Sequence, residues 1–343
     1  MTIEKKDNAH PEIKVRVSAP ARLHLGFLDL NGETGRKFGS IGLTIDSHHT
    51  IIEAELASST SITSSTIDVP PPLTEKVIDL ISQFYRSLGK HISLDQHGVH
   101  ITLIELIPQH AGLGSGTQLA LTLGTLLCRL HNITASTHDI AHHLGRGSRS
   151  GIGISGFEHG GFIIDGGLGL QSSPPPLLAH YTFPEQWRVI LITESNSQGV
   201  HGKNEHNAFT HLPAFSLADS QTICHLTLMT LLPALVEKNM ADFGHAITKI
   251  QSLIGNHFSP AQGGQYASKN VAQLLHHAQS IGHMGVAQSS WGPTGCIFID
   301  SETAANTLQQ ELTYYAQKEQ LTMLSLLTIS SSSKGANIEI TLT

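Results

Sequence analysis

Apolar and polar residues alternate along the first part of the chain in short runs, Lys14–Ser18, Arg22–Leu28, Ser40–Ile45 and Thr50–Leu56, each rich in aliphatic or β-branched side chains. A period of two predicts half-buried strands, here an early antiparallel sheet. A Ser/Thr-rich link at 58–66 and the stop Pro70-Pro71-Pro72 precede a segment from Thr74 to Leu88 whose Val77, Leu80, Ile81 and Phe84 share one helical face. Alternation returns at Val99, Ile101 and Leu103, and a glycine-bearing run then leads into a predicted helix over Thr117–His131. A second helix over Thr137–Leu144 is followed by a glycine-dense stretch at 145–169, with a strand near Gly161–Asp165 that Phe157-Glu158-His159 is read as starting.

The break Ser172-Ser173-Pro174-Pro175-Pro176 can continue neither a ladder nor a helix, which places a domain boundary near residue 184 and divides the chain into 1–184 and 185–343. The second part opens on a buried-looking strand, Trp187–Thr193, and a polar loop from Glu194 to Asn207. Helices follow over Ser216–Lys238, Ala241–Ile254, Tyr266–Ile281 and Thr303–Gln317, with strands at Cys296–Asp300, Thr322–Thr328 and Asn337–Leu342. The order of elements is that of an α+β protein.

Composition narrows the function. With 343 residues and 39% hydrophobic content the chain can build two ordinary cores. A net charge of −7 and no basic stripe argue against nucleic acid. The charged start lacks the pattern of a signal peptide, no stretch reaches membrane-spanning length, and three widely spaced cysteines fit free thiols in a cytoplasmic protein. The 23 histidines include the adjacent pairs His48-His49, His142-His143 and His276-His277. Neighbouring side chains face apart on a regular element, so dispersed surface histidine is expected rather than a transition-metal centre.

The strongest candidate chemistry lies in Pro108-Gln109-His110-Ala111-Gly112-Leu113-Gly114-Ser115-Gly116-Thr117, between a strand and a helix. Glycines there let the backbone turn while the first N–H groups of the helix converge, which favours an anion. The run lacks the lysine of a P-loop, and its spacing is not the dinucleotide fingerprint. A plain tight turn explains the glycines as well, and spacing alone does not separate the two. Asp29, before Asn31-Gly32, reads either as a turn-former or as a carboxylate that holds Mg²⁺ or steadies a cationic transition state beside Arg36. Arg146-Gly147-Ser148-Arg149 offers two cations and backbone donors to a phosphate, or is a solvated loop. Lys203 and Glu205 lie in a polar loop that reads as a lid or a simple connection, and Trp291, in the turn from Ser289 to Cys296, reads as a stacking platform or a core edge.

Pro108, Gly112, Leu113, Gly114 and Ser115 resemble the Pro-x-x-x-Gly-Leu-Gly-Ser-Ser loop of the GHMP kinase superfamily, with Gly116 in place of the second serine. Four segments resemble more closely the β-ribofuranosylaminobenzene 5′-phosphate synthase family, a non-kinase branch. They are Arg22–Gly32 with Gly35-Arg36, Gly112–Gln118, Gly145–Gly153 through Phe157–Gly167, and Ser290–Thr294.

The resemblance implies an N-terminal domain like domain 2 of ribosomal protein S5, a ferredoxin-like C-terminal domain and a homodimer. It further implies condensation of phosphoribosyl diphosphate with 4-hydroxybenzoate or 4-aminobenzoate, assisted by Mg²⁺, releasing diphosphate and CO₂ in methanopterin biosynthesis. Gly112–Thr117 with Arg146 and Arg149 would then hold phosphate groups, Asp29 the metal or the cationic sugar, and Arg36 the benzoate carboxylate or a phosphate. Arg22, His24, Lys203, Glu205 and Trp291 would complete the substrate site. An ATP-dependent small-molecule kinase, or a ligand-binding protein without catalysis, are the rival expectations for this scaffold.

Overall fold

The computed structural model describes residues 13–64, 66–170, 174–195 and 212–342. The short alternating runs at the start fuse into two long antiparallel strands, β1 (Ile13–Asp29) and β2 (Phe38–Leu56). Register shifts at Pro20/Ala21 and His24/Gly26 explain why they look like separate strands, since an extra residue at a bulge disturbs the alternation and bends the pair. The two halves of β1 serve different cores. Val15, Val17 and Ala19 pack with α1 (Pro71–Arg86) and α2 (Ser115–Leu130), whereas Leu23, Leu25 and Phe27 share a core with Phe183, Trp187, Phe243 and Phe298 from later in the chain.

The first sheet has seven strands in all. β4 (Val99–Glu105) pairs the C-terminal half of β2, and β3 (Ser61–Thr63) lies parallel to β4. β5 (Phe162–Asp165) pairs the N-terminal half of β2 and is extended by β6 (Leu177–Tyr181), a strand in a segment expected to be irregular. α2, α3 (Thr137–His143) and α4 (Ile152–His159) lie between β4 and β5.

Helix α4 corrects the expectation that Phe157-Glu158-His159 starts a strand. Its glycines are not breaks but points of close approach: a Cβ at Gly153 would stand 2.9 Å from the Thr117 methyl, and one at Gly156 would stand 3.0 Å from the Thr44 hydroxyl.

The second sheet runs β10-β7-β9-β8, formed by β7 (Arg188–Glu194), β8 (Val286–Gln288), β9 (Gly295–Ile299) and β10 (Leu324–Ile329), every pair antiparallel. This is the ferredoxin-like order, with the helices packed as crossovers. The expected single helix at 216–238 divides into α5 (Leu217–Leu226) and α6 (Leu232–Glu237) around a π-turn at Thr227–Leu231. α7 (Met240–Gln262), α8 (Lys269–Ser280) and α9 (Glu302–Lys318) complete this part. The last strand, β11 (Asn337–Leu342), returns to the first sheet and pairs β1, so no single cut in the chain separates the two sheets. Among the described residues no helix is long and apolar enough to cross a membrane, and Cys128, Cys224 and Cys296 are free.

Candidate active site

The loop between β4 and α2 meets β1 and the 289–295 turn of the second sheet. Gly112 and Gly114 have φ of 81° and 89°, the left-handed region that favours glycine. Each also admits a close neighbour. A Cβ at Gly112 would fall 2.3 Å from the Ser289 carbonyl oxygen, and one at Gly114 would fall 3.1 Å from the Arg22 side chain. Arg22 donates from Nη1 to the Gly112 carbonyl at 2.6 Å and from its backbone N–H to Leu113 at 3.1 Å. The Ser289 hydroxyl donates to the same Gly112 carbonyl at 2.7 Å and accepts the His24 N–H at 3.0 Å. One serine of the second domain thus ties the loop to β1.

Helix α2 begins on this loop without a side-chain cap, whereas α3, α5, α7, α8 and α9 are capped by Ser136, Ser216, Asn239, Ser268 and Ser301. Thr117 and Gln118 donate back to the Gly114 carbonyl, and the N–H groups of Ser115 and Gly116 have no acceptor among the described residues. Such an end carries partial positive charge and open donors. Arg146 stands over it, 3.5 Å from the point a Gly116 Cβ would occupy. Lys76 of α1, which no sequence motif marked, is 3.9 Å from the same point.

His24 is 4% exposed, so the expectation of surface histidine fails for it. Burial, reinforced by the charges of Arg22 and Arg149, pushes it down to about 3 and keeps the ring neutral. Its Nε2 is buried with no partner among the described residues. Trp291 is 5% exposed, packs at 4.2 Å between centroids on Phe258, and with His24, Phe27 and Phe258 lines a small cavity.

Asp29 and Arg36 lie elsewhere, at the far end of β1. Asp29 Oδ1 accepts the N–H groups of Asn31 at 2.7 Å and Gly32 at 3.1 Å and the Ser220 hydroxyl at 2.8 Å. That is a side-chain-closed turn clamped to α5. Arg36 donates from Nη1 to the Gly166 and Gly167 carbonyls at 2.9 and 3.0 Å. Those glycines follow Asp165, whose buried carboxylate accepts from Gly167 N, Gly151 N and the Ser150 hydroxyl. Burial raises the Asp165 carboxyl despite these donors. Asp165 therefore joins the Arg36 hairpin to the arginine loop, a connection invisible in sequence because it spans residues 36, 151 and 165. Lys203 and Glu205 lie outside the described residues.

Among the described residues no three His, Cys, Asp or Glu side chains gather as a metal cluster. The side chains that stand over the α2 end are the cations Arg146 and Lys76, and Asp29 lies at the far end of β1. This donor set suits a metal carried mainly by substrate oxygens, the habit of Mg²⁺ at phosphates.

Residues 75–161 match the family described as GHMP kinases N terminal domain, and residues 231–317 match GHMP kinases C terminal. A protein of Methanocaldococcus jannaschii named β-ribofuranosylphenol 5′-phosphate synthase is 35% identical over 303 residues, covering 83% of this chain and 90% of its own. The protein of that name from Archaeoglobus fulgidus is 30% identical over 338 residues, covering 95% and 100%. The crystal structure of a homoserine kinase from Cytophaga hutchinsonii shares the fold with a TM-score of 0.64 at 17% identity, covering 99% of this chain and 100% of that one.

Proposed function

The chain belongs to the β-ribofuranosylphenol 5′-phosphate synthase family on the GHMP kinase fold, and from that membership we propose that it joins phosphoribosyl diphosphate to 4-hydroxybenzoate with loss of diphosphate and CO₂. The observation that carries this reading is the α2 end, where open N–H groups, Arg146 and Lys76 converge and no carboxylate pairs with either cation among the described residues. Uncompensated positive charge of this kind suits a diphosphate, and it is most useful when the leaving group gains charge.

In the proposed reaction the bond from the anomeric carbon to the diphosphate oxygen breaks, and its electron pair leaves with the diphosphate. The benzoate ring carbon that bears the carboxylate attacks the oxocarbenium-like sugar. The carbon–carbon bond to the carboxylate then breaks, its electrons restore aromaticity, and CO₂ departs. Arg22 holds the loop, Arg146 and the Ser115 and Gly116 N–H groups take the diphosphate, and Arg149 faces the sugar phosphate. Magnesium, carried by the diphosphate, would neutralise part of its charge at the α2 end, and Asp29, at the far end of β1, would meet the substrate at its other end. Arg36 is assigned to the benzoate carboxylate or a phosphate, with the Asp29 carboxylate near the cationic sugar. We also propose a cytoplasmic homodimer working in methanopterin synthesis.

The relatives' name contains a phenol, which favours the hydroxybenzoate over the aminobenzoate. The test is incubation with Mg²⁺, phosphoribosyl diphosphate and either carboxyl-labelled acid, trapping labelled CO₂ and assaying diphosphate. Equal release of both with 4-hydroxybenzoate is expected. Absence of both, with ATP consumed in the presence of a small alcohol, would replace the synthase reading with a kinase.

A further inference from the structure

Lys76 sits near the start of α1, whose Leu73, Val77, Leu80 and Ile81 are buried against the first-domain core. Packing that face holds Lys76 half-buried at the neighbouring α2 end. Its ammonium and the Arg146 guanidinium both come within 4 Å of one point above Gly116, at 3.9 Å and 3.5 Å. Burial and the charge of Arg146 lower the Lys76 pKa, and burial lowers that of Arg146. No hydrogen bond or ion pair satisfies the Lys76 ammonium among the described residues, and the Arg146 Nε is buried without a partner there. Two like charges held together at partial burial raise the energy of the empty protein, and an anion between them removes that cost.

Gly116 supplies the space. It is the second residue of α2 and is not in the positive-φ region, so no backbone strain calls for glycine there. Its missing Cβ would meet nothing closer than the Arg146 Nη1 at 3.5 Å, an ordinary contact. Neither strain nor crowding demands glycine here. Its absent side chain instead leaves open a point 3.5 Å from Arg146 Nη1 and 3.9 Å from Lys76 Nζ, at a residue whose N–H has no acceptor among the described residues.

We propose that Lys76, Arg146 and the Gly116 N–H form a subsite for an oxygen of a diphosphate group, which makes Lys76 a substrate-binding residue and Gly116 a determinant of the room available. Identification of the diphosphate as that of the sugar donor rests on the synthase reading. The subsite itself does not.

The experiment is calorimetric titration of the full chain with inorganic diphosphate at fixed salt, for wild type, Lys76→Gln, Lys76→Arg and Gly116→Ser, with melting curves of each free protein. Lys76→Gln should weaken binding about 10-fold, while Lys76→Arg stays within about 3-fold of wild type because it keeps the charge. Gly116→Ser should weaken binding about 5-fold by placing a hydroxymethyl group at that open point. Free Lys76→Gln should melt no lower than wild type, since it removes a repulsion. Wild-type affinity in Lys76→Gln, or no diphosphate binding by wild type, overturns the subsite. Diphosphate binding that depends on Lys76 without CO₂ release in the labelled-acid assay leaves the subsite standing and removes the synthase reading. CO₂ release with unchanged diphosphate affinity in Lys76→Gln does the reverse.

Discussion

The two ends of the bulged half of β1 carry the same kinds of group in different states. At the Asp29 end, Oδ1 accepts three donors and Arg36 is tied to two carbonyls. At the Arg22 end, two N–H groups of α2 and His24 Nε2 have no partner among the described residues, and Lys76 and Arg146 oppose each other. The first end explains itself as structure, because every atom named has something to hold. The second is stabilised by its folded surroundings but costly as it stands, which is what a site prepared for an anion requires.

The sharpest way to break this contrast is Gly112→Ala. Its left-handed φ and the Ser289 carbonyl oxygen 2.3 Å from the added carbon leave no room, and that carbonyl belongs to fixed backbone. Turnover should fall by more than about 100-fold with a clear loss of melting temperature. Unchanged activity and melting would mean that the loop is not held against the second domain.

Asp29→Asn tests the other end. Asparagine keeps an acceptor for Asn31, Gly32 and Ser220, so the melting temperature should hold while turnover falls about 10-fold if the carboxylate charge acts on the sugar or metal. Full turnover would leave Asp29 as a turn-former only.

The pH dependence of stability sharpens the Arg22 end. The folded His24 is held at about 3, below its ordinary value, so the unfolded chain binds a proton that the folded one refuses. Stability should therefore fall as pH drops from about 6.5 towards 3, by on the order of 1 kcal/mol per pH unit from this group. Urea midpoints at pH 7 and pH 4.5 should show a smaller acid loss in His24→Gln than in wild type. Equal losses would mean that the ring titrates normally.

The smallest effect expected is that of Gly35→Ala. Gly35 has the φ of 81° seen at Gly112 but nothing within 4 Å of its would-be Cβ. It should cost about 1 kcal/mol of stability, the backbone term alone. A loss as large as that of Gly112→Ala would show that the contrast between the two glycines is conformational rather than one of contact.

Much of the frame was legible in the sequence. Val77, Leu80, Ile81 and Phe84 marked the buried face of α1 and alternation marked β4, whereas the prolines at 174–176 precede β6, which still belongs to the first sheet. The glycine loop before α2 was legible because strand, glycines and helix are contiguous. Helix α4 was not, because glycine in sequence looks alike whether it breaks an element or lets two elements touch. β6 and β8 were also missed, being short strands of five and three residues whose pairing lies with distant partners.

Local pattern by itself determined where the chain turns, which faces are apolar and which loop offers donors to an anion, because these depend on residues within a few positions of one another. Only the tertiary structure decided that Lys76 joins Arg146 over Gly116, that Ser289 clamps Gly112, and that Asp165 links Gly151 to the hairpin of Arg36. Desolvation, like-charge proximity and close approach depend on distances in space between residues far apart in the chain, and the spacing of letters does not encode them.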